Sequence, residues 1–422
     1  MNKYFIFAIT LVYICSPFAG ESSAQEALSW QDCVKEAARN HPDLISSLEN
    51  INQLKESKNI TASTLYPQID ADAGASRAKT TGAAANSYSY GVSGTQLVFD
   101  GLKTVNDVNA AKANLKAGQK EYKFVSTQVR MNLRTAFVSL LRAQELIKVS
   151  EEIVKIRRDN LILITLRYQS GLEHKGALLT AEANVLQAHF ELSQAKRDVV
   201  LAQRQLIKEM GRKEFASLEV KGDFSVQDSA KEKPDLEALV KNNPSLLQAS
   251  AKTSAAFFGI RSAYANFSPQ VSGSAGADKS GSHWPPQSNQ WNMGVSVNMP
   301  IFEGGLRLAQ VVQAQAAYRQ AGEDERSTKD SLIVGLEQTW VSLQDAIETV
   351  DVQRKTLEAT EERSKIAEAQ YSTGFITFDN WIIIEDDLVK AKRNYLNTQA
   401  NALIAEANWI QAKGETLEYE NQ

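Results

Sequence analysis

The sequence repeats itself once, at a spacing of 202 to 203 residues. Five short segments match at that spacing: 41–44 with 243–246, 66–68 with 268–270, 99–101 with 302–304, 167–171 with 370–374, and 210–211 with 413–414. Tyr168 and Tyr371, for example, each lie three residues before a glycine. Unrelated loops that share common turn residues would not keep one constant spacing. The chain is therefore expected to fold as two copies of a single unit.

Each unit has the same predicted elements in the same order. A first helix begins at Pro42 or Pro244, since proline suits the first turn of a helix, and two strands, a long helix and a return helix follow. The predicted helices cover 42–64, 103–168 and 172–210 in the first unit, and 244–265, 306–371 and 377–413 in the second. A helix of about 66 residues is about 100 Å long, far beyond a compact domain. The two shorter helices of a unit, laid end to end, nearly match that length.

A secretory signal is predicted over residues 1–24. Lys3 is followed by an apolar stretch, 4–14, that is too short to span a bilayer, and small residues precede a cleavage site before Gln25. Lipid attachment at Cys15 is an alternative, but the three residues before Cys15 lack the small side chain that such processing requires. The sequence therefore predicts export without a lipid anchor.

Two repeats and a linker are predicted for the exported chain. The first repeat covers 25–212 and the second 235–422, and the linker, 213–234, has mixed charge and little periodicity. Only Cys33 remains after removal of the signal, so no disulfide can form within the chain. Packing alone must stabilise the fold.

The four predicted strands, 69–76, 88–98, 271–278 and 291–301, alternate between apolar and polar residues. The alternation is clearest in the fourth strand, where the apolar set is Trp291, Met293, Val295, Val297, Met299 and Ile301 and the polar set is Asn292, Gly294, Ser296 and Asn298. Tilted membrane strands of about ten residues have this pattern, although a soluble hairpin with one wet face shares it. Four strands cannot close a barrel, and an open sheet edge in lipid leaves backbone groups unpaired. The membrane interpretation therefore requires several copies of the chain.

Charge and residue clusters argue against several function classes. The 46 basic and 50 acidic residues give a net charge of −4, which argues against nucleic acid as a partner. No exported segment approaches eighteen consecutive apolar residues, so no membrane-spanning helix is expected. The four histidines are scattered, and no nucleophile elbow, phosphate loop or dinucleotide fingerprint appears. Neither enzyme activity, nor a cofactor, nor a metal site is predicted.

The repeated turns resemble those of a known family. Residues 96–101 and 299–305 look like the strand-to-helix turns of the TolC family of outer-membrane efflux proteins (outer membrane factors), and 168–172 and 371–375 look like its helix-to-helix turns. The resemblance extends over essentially the whole exported chain. It implies an α+β fold in which three chains share one twelve-stranded barrel in the outer membrane and a long α-helical barrel in the periplasm.

The resemblance also implies partners and a role. A homotrimer of this family is a passive channel of a tripartite efflux or type I secretion system in a Gram-negative-type cell. It contacts outer-membrane lipid, a periplasmic adaptor (membrane fusion) protein and, through the adaptor, an inner-membrane pump of the RND, ABC or MFS class. A periplasmic coiled-coil adaptor or structural protein is the alternative, but it would not need paired amphipathic strands at two matching places. The sequence does not encode the cargo.

Two sets of site residues follow from the family's pattern. The turns that form the tip of the helical tunnel and contact the adaptor correspond to Ser170, Gly171, Leu172, Thr373, Gly374 and Phe375. Acids that follow the second turn line the periplasmic constriction in the family, and the matching candidates are Asp379, Asn380, Glu385 and Asp386. The family's usual spacing of two inward acids is not reproduced here. An alternative role for these acids is to cap and solvate the start of a helix.

Overall fold

The computed structural model describes residues 26–79, 81–225 and 233–417. The predicted signal segment, 1–24, lies outside the described residues. The elements of the first unit are β1 (Glu26–Leu28), α1 (Trp30–Asn40), α2 (Pro42–Ser63), β2 (Gln68–Ala78), β3 (Ala85–Phe99), α3 (Lys103–Gln169) and α4 (Lys175–Met210). The second part comprises β4 (Leu218–Val220), α5 (Leu236–Asn242), α6 (Pro244–Ala265), β5 (Gln270–Gly281), β6 (Ser288–Asn298), α7 (Leu306–Ser372) and α8 (Phe378–Lys413).

The long helices α3 and α7 have 67 residues each and are therefore about 100 Å long. In each unit a helix of 22 residues and one of 36 residues pack along the long helix. No helix in the described part of the chain is long and apolar enough to cross a membrane. The prediction of an elongated helical layer, with two short helices beside one long helix, is confirmed.

The short helices of each unit meet end to end at a glycine. Gly211 has φ +77°, and a Cβ atom there would lie 2.3 Å from the carbonyl oxygen of Asn40, two residues before the start of α2. Gly414 has φ +85° and contacts Pro244 at the start of α6 in the same way. Only glycine combines a positive φ with so close an approach. These two joints explain why both glycines recur at the repeat spacing.

Two predicted boundaries were wrong by a few residues. The first return helix begins at Lys175 and not at 172, because the imidazole Nδ1 of His174 accepts a hydrogen bond from the backbone N–H of Ala177, at 3.1 Å, and so caps the helix there. The fourth strand ends at Asn298 and does not reach Met299 or Ile301. Pro300 lies two residues after Asn298 and has no N–H for a ladder hydrogen bond.

Four short elements, α1, α5, β1 and β4, are absent from the sequence prediction. β4 lies in the segment predicted as a linker and pairs in parallel with β1. α1 packs against α3 and α4, and its N-terminus has a capping box between Ser29 and Asp32. A buried cluster forms there from Cys33, Val34, Leu133, Phe137, Leu206, Met210 and Leu218, among others. Burial raises the pKa of the Cys33 thiol to about 12, so this side chain is a protonated core residue.

One antiparallel sheet contains the strands β2, β3, β5 and β6, in that order. Its two hairpins turn at the end of the sheet that is farthest from the helices, because α2 leads directly into β2 and β3 leads directly into α3. A bulge at Val98 interrupts the pairing of β3 with β5 and places Phe99 opposite Val271. The four predicted strands are thus one continuous sheet, which projects from the end of the helical layer.

Candidate functional site

The two helix-to-helix turns have the same geometry. Gly171 and Gly374 have φ +72° and +81°, and a Cβ atom at either would meet no other atom within 4 Å. In each turn the residue after the glycine donates a backbone hydrogen bond to the end of the preceding helix: Leu172 to Arg167 at 2.9 Å, and Phe375 to Gln370 at 2.8 Å. This pattern is a Schellman cap. The turns therefore form where the sequence predicts them.

Both turns present an apolar side chain to solvent. Leu172 is 66% exposed and Phe375 is 84% exposed. Ser170 and Thr373 flank them, and their hydroxyls donate to carbonyl oxygens of the preceding helix. The tip of the helical layer is thus a small surface with two protruding apolar residues, which is the kind of feature that a binding partner can bury.

A cluster around Tyr371 joins the two helical hairpins, α3–α4 and α7–α8, behind the tip. The Tyr371 ring stacks on Trp381, with 4.4 Å between the ring centroids and 10° between the planes, and the guanidinium of Arg167 lies 4.6 Å from the Tyr371 centroid. The phenol Oη donates to Oε2 of Glu173 at 2.7 Å. Burial, together with the hydrogen bond to Glu173 and its negative charge, raises the pKa of Tyr371 above its ordinary value. The phenol therefore stays protonated and acts as the donor.

The sequence prediction did not identify this cluster. Tyr168 and Tyr371 occupy equivalent positions in the repeat, but Tyr371 is 1% exposed and Tyr168 is 37% exposed. The aromatic residues of the segment 371–381 were a signal, since the matching segment of the first unit has no tryptophan or phenylalanine. Residues from both hairpins complete the cluster, and that contact is visible only in the structure.

The structure separates the four residues that were predicted to line the constriction. Asp379 and Asn380 are exposed in the first turn of α8. Glu385 is only 3% exposed, and its carboxylate accepts hydrogen bonds from Nδ2 of Asn160 at 3.2 Å and from Oγ of Ser364 at 2.5 Å. Asp386 pairs with Arg157 of α3 at 2.5 Å. Asp379 and Asn380 are thus available to line a passage, whereas Glu385 and Asp386 connect α8 to neighbouring helices.

Charged groups farther along α8 continue the connection between the hairpins. Lys392 contacts Glu152 of α3 at 3.0 Å and Glu361 of α7 at 2.9 Å. Burial would lower the pKa of Lys392, but the hydrogen bonds from this ammonium to the two carboxylates outweigh burial and raise it. The guanidinium of Arg393 pairs with Glu191 of α4. No group of three or more potential metal ligands is arranged to hold an ion in the described ranges.

The sheet has one apolar and one polar face, and we use these names below. The apolar face carries Val92, Trp291, Met293, Val295 and Val297, all of them 53–79% exposed. One row of the polar face runs from Asp72 through Gly91 and Asp278 to Gln290, as the strand register shows. The same face carries Asp70 and a series of serines, including Ser89, Ser93, Ser274 and Ser296. Such a sheet separates an apolar environment from water.

The chain has free edges on both sides. In the sheet, β2 and β6 each have one paired neighbour among the described strands. In the helical layer α3 packs between α2 and α6. α7 packs beside α6, and no described helix packs on its other side as α2 packs on α3. Since α2 continues into β2 and β6 leads into α7, the free edges of both layers lie on the same two sides. The two sides of the chain therefore offer the pair of edges that a head-to-tail contact between copies requires.

Comparisons with known proteins agree with this geometry. A family model described as outer membrane efflux protein matches the chain twice, over residues 33–212 and 236–415. Outer membrane protein TolC of Escherichia coli is 24% identical over 418 residues, with 94% of this chain and 84% of the relative covered. Outer membrane efflux protein BepC of Brucella suis is 21% identical over 407 residues, with 94% and 87% covered.

The fold itself occurs in solved structures. The crystal structure of the open state of the MtrE outer membrane channel of Neisseria gonorrhoeae superposes with a TM-score of 0.81 at 17% identity, and it covers 93% of this chain and 90% of MtrE. The expected TolC-like fold and the internal repeat are confirmed by this likeness and by the two family matches.

Proposed function

This chain belongs to the outer membrane efflux protein family, and we propose that three copies of it form a passive channel across the outer membrane and the periplasm. The channel serves a tripartite efflux or type I secretion system and catalyses no reaction. The observation that supports the proposal best is the pair of free edges, because they are present in the sheet and in the helical layer on the same two sides.

Closure of the ring satisfies the exposed backbone of the sheet. When β6 of one copy pairs with β2 of the next, no edge remains in contact with lipid. Three copies supply twelve strands, with the apolar face toward lipid and the polar face around a water-filled lumen. In the helical layer, α7 of one copy would pack on α2 of the next, as α3 packs on α6 within the chain.

The direction of the channel follows from the position of the loops. The strand ends that adjoin the hairpin turns, at Ala78, Ala85, Gly281 and Ser288, are farthest from the helices. If the helices occupy the periplasm, these turns face the outside of the cell. The opposite end of the molecule is then the tip, where Leu172 and Phe375 are available to a periplasmic adaptor and, through it, to an inner-membrane pump of the RND, ABC or MFS class.

The proposed constriction lies directly behind the tip. Asp379 and Asn380 are exposed in the first turn of α8 and would meet their copies around the axis. Glu385 and Asp386 set the position of α8 through Asn160, Ser364 and Arg157 rather than contact the cargo. Three copies of Asp379 near one axis would repel anions and attract cations.

Cell fractionation followed by mass determination tests the channel. The full-length protein should be in the outer membrane, with the mass of three chains in mild detergent. A soluble monomer would contradict the proposal, and extraction with the periplasmic or inner-membrane fraction would favour an adaptor instead.

Conductance in planar bilayers tests the constriction. The Asp379→Asn variant should lower the preference for cations, whereas Glu385→Gln should change the thermal stability and leave ion preference close to that of the unmodified channel. Equal ion preference in the unmodified channel and in Asp379→Asn would remove Asp379 from the constriction.

A further inference from the structure

The charged residues of the sheet are divided between its two faces. Asp70, Asp72 and Asp278 share the polar face. Arg77 and Lys279 point the other way, because Arg77 is an odd number of residues from Asp72 on β2, and Lys279 directly follows Asp278 on β5. Side chains of neighbouring residues in a strand lie on opposite faces. Every carboxylate within the four strands is thus on one face, and both cations are on the other.

Each of the two cations lies on the apolar face near the turn of its own hairpin. Lys279 is opposite Tyr90 in the register of β3 and β5, two residues before the end of β5. Arg77 is the last but one residue of β2. Both side chains are exposed, and neither forms an ion pair with a described carboxylate. The other end of the same face has no charged residue within the strands; Ile69, Phe99 and Val271 lie there.

Three aromatic residues lie near this end of β5, and one of them is opposite Lys279 in the strand register. Tyr90 lies directly opposite Lys279, and Tyr88 is two residues earlier in β3, opposite Gly281. Trp284, in the turn between β5 and β6, folds back over both tyrosines, with ring centroids 6.0 Å from Tyr90 and 6.2 Å from Tyr88. Trp284 is 65% exposed. Tyrosine and tryptophan rings favour the level where lipid chains give way to head groups.

From these placements we propose that Arg77 and Lys279, with Tyr88, Tyr90 and Trp284, form a rim that binds the phosphate groups of the phosphorylated glycolipid in the outer leaflet. We call this set the cationic rim. The inference rests on the proposed function, since it requires the apolar face to meet lipid and the hairpin turns to face outward.

The asymmetry between the two ends of the apolar face identifies the occupant. A cation–aromatic band at one end only matches a membrane whose two leaflets differ in charge, and the phosphorylated glycolipid of an outer membrane is confined to the leaflet beside the hairpin turns. A guanidinium and an ammonium at head-group level match its phosphates in charge. Three copies around the barrel would repeat the rim three times.

The retention of glycolipid by the purified protein tests the rim. The full-length trimer, in neutral nanodiscs doped with diphosphorylated lipid A, should retain this lipid more strongly than its dephosphorylated counterpart. The variant Arg77→Gln/Lys279→Gln should weaken retention by about fivefold for each cation removed, since a basic residue near an anionic surface contributes about 1 kcal/mol.

Two further variants separate local charge from net charge and from folding. The Ser76→Glu/Ser280→Glu variant changes the net charge by the same amount as Arg77→Gln/Lys279→Gln does, but on the polar face. It should retain lipid A as the unmodified protein does. Arg77→Lys/Lys279→Arg keeps both cations and should also retain it.

Three outcomes would overturn the rim: equal retention by Arg77→Gln/Lys279→Gln, equal retention of the dephosphorylated lipid, or equal retention of phosphatidylglycerol in place of lipid A. These outcomes are distinct from failure of the proposed channel, which would appear beforehand as absence of the unmodified protein from the outer membrane or as absence of the trimer.

Discussion

The two equivalent tyrosines of the repeat show how one position can acquire two roles. Tyr168 precedes the first tip turn and is partly exposed, whereas Tyr371 precedes the second and is buried against Trp381 and Arg167. Of the two tyrosines, only Tyr371 donates its hydroxyl to a described partner, the carboxylate of Glu173. The duplicated turn is thus retained in both units, whereas of the two tyrosines only Tyr371 joins the two helical hairpins.

The Tyr371→Phe substitution should weaken this connection. It removes the donor to Glu173 but keeps the stacked ring, so we expect a loss of about 2 kcal/mol in the free energy of unfolding, as for a hydrogen bond to a charged group. Thermal unfolding of the detergent-solubilised protein measures the loss. Tyr168→Phe is the matched control and should stay within about 0.5 kcal/mol of the unmodified protein. Equal losses in the two variants would show that the Glu173 contact contributes nothing.

At the scale of helices, the glycine joints determine how the layer is assembled. Gly171 and Gly211 both have positive φ, but Gly171 ends a hairpin in open space, whereas Gly211 contacts the backbone of Asn40. Arg212, the next residue, forms a bidentate pair with Glu36 of α1, at 2.5 and 2.7 Å. The joint therefore fixes the end of α4 against α1 and the start of α2.

Alanine substitutions at Gly171 and Gly211 should lower the free energy of unfolding by different amounts. Gly171→Ala should destabilise the protein by about 1 kcal/mol, the cost of a left-handed conformation. Gly211→Ala adds overpacking against Asn40 and should cost about 3 kcal/mol. Denaturant unfolding monitored by circular dichroism compares the variants. A Gly211→Ala loss no larger than that of Gly171→Ala would contradict the close approach at this joint.

The contact of α4 with α8 should respond to acid. Partial burial would raise the pKa of Glu191, but hydrogen bonds from Arg393 and Gln187 outweigh it and hold the pKa below its ordinary value of 4.5. A carboxylate with a lowered folded-state pKa stabilises the fold above the unfolded-state value, and this contribution is lost as the pH falls through the folded-state pKa.

We therefore expect the unmodified protein to be more stable than Glu191→Gln at pH 7, by up to about 1 kcal/mol because the pair is partly exposed. The difference should disappear in strong acid. Thermal midpoints of both proteins between pH 7 and pH 3 provide the test, and a difference that persists unchanged at pH 3 would exclude the ionised pair as its source.

The sequence predicted the long elements better than their contacts. The long helices and the strands have strong periodicity, and the repeat places each of them twice. α1 and α5, with 11 and 7 residues, are too short for periodicity to identify, and the pairing of β1 with β4 joins segments about 190 residues apart. Glu385, Asp386 and Asp387 form one acidic run in the sequence. The burial of Glu385 depends on its contact with Asn160 of α3. No local sequence pattern reveals that contact.

On the scale of the whole molecule, the division of the sheet into two faces determines what the chain can assemble into. The apolar face is exposed in the single chain, and the polar face carries the acids. Neighbouring residues of β6 therefore face different environments in the proposed trimer, with Val295 toward lipid and Ser296 toward the lumen. Substitutions at these two positions compare the environments directly.

Lysine at position 295 should prevent membrane assembly, whereas lysine at position 296 should be tolerated. A cation on the lipid face near the bilayer midplane costs about 2–4 kcal/mol per chain, and a lumen residue remains in water. The Val295→Lys protein should be depleted from the outer-membrane fraction, while Ser296→Lys should be present there as a trimer. Equal yields of both trimers would contradict the assignment of the two faces.

The two free sheet edges have a consequence for how the cell must produce this protein. A newly exported chain presents unpaired strands and an apolar surface, which are features that favour aggregation. Such a chain is therefore exposed to aggregation until its edges are paired. In the proposed trimer three chains must meet, so the equilibrium yield of closed rings at low abundance rises with about the cube of the free-chain concentration. A modest drop in expression would then reduce the number of channels by a large fraction. The same drop would reduce the amount of a protein that folds alone only in proportion.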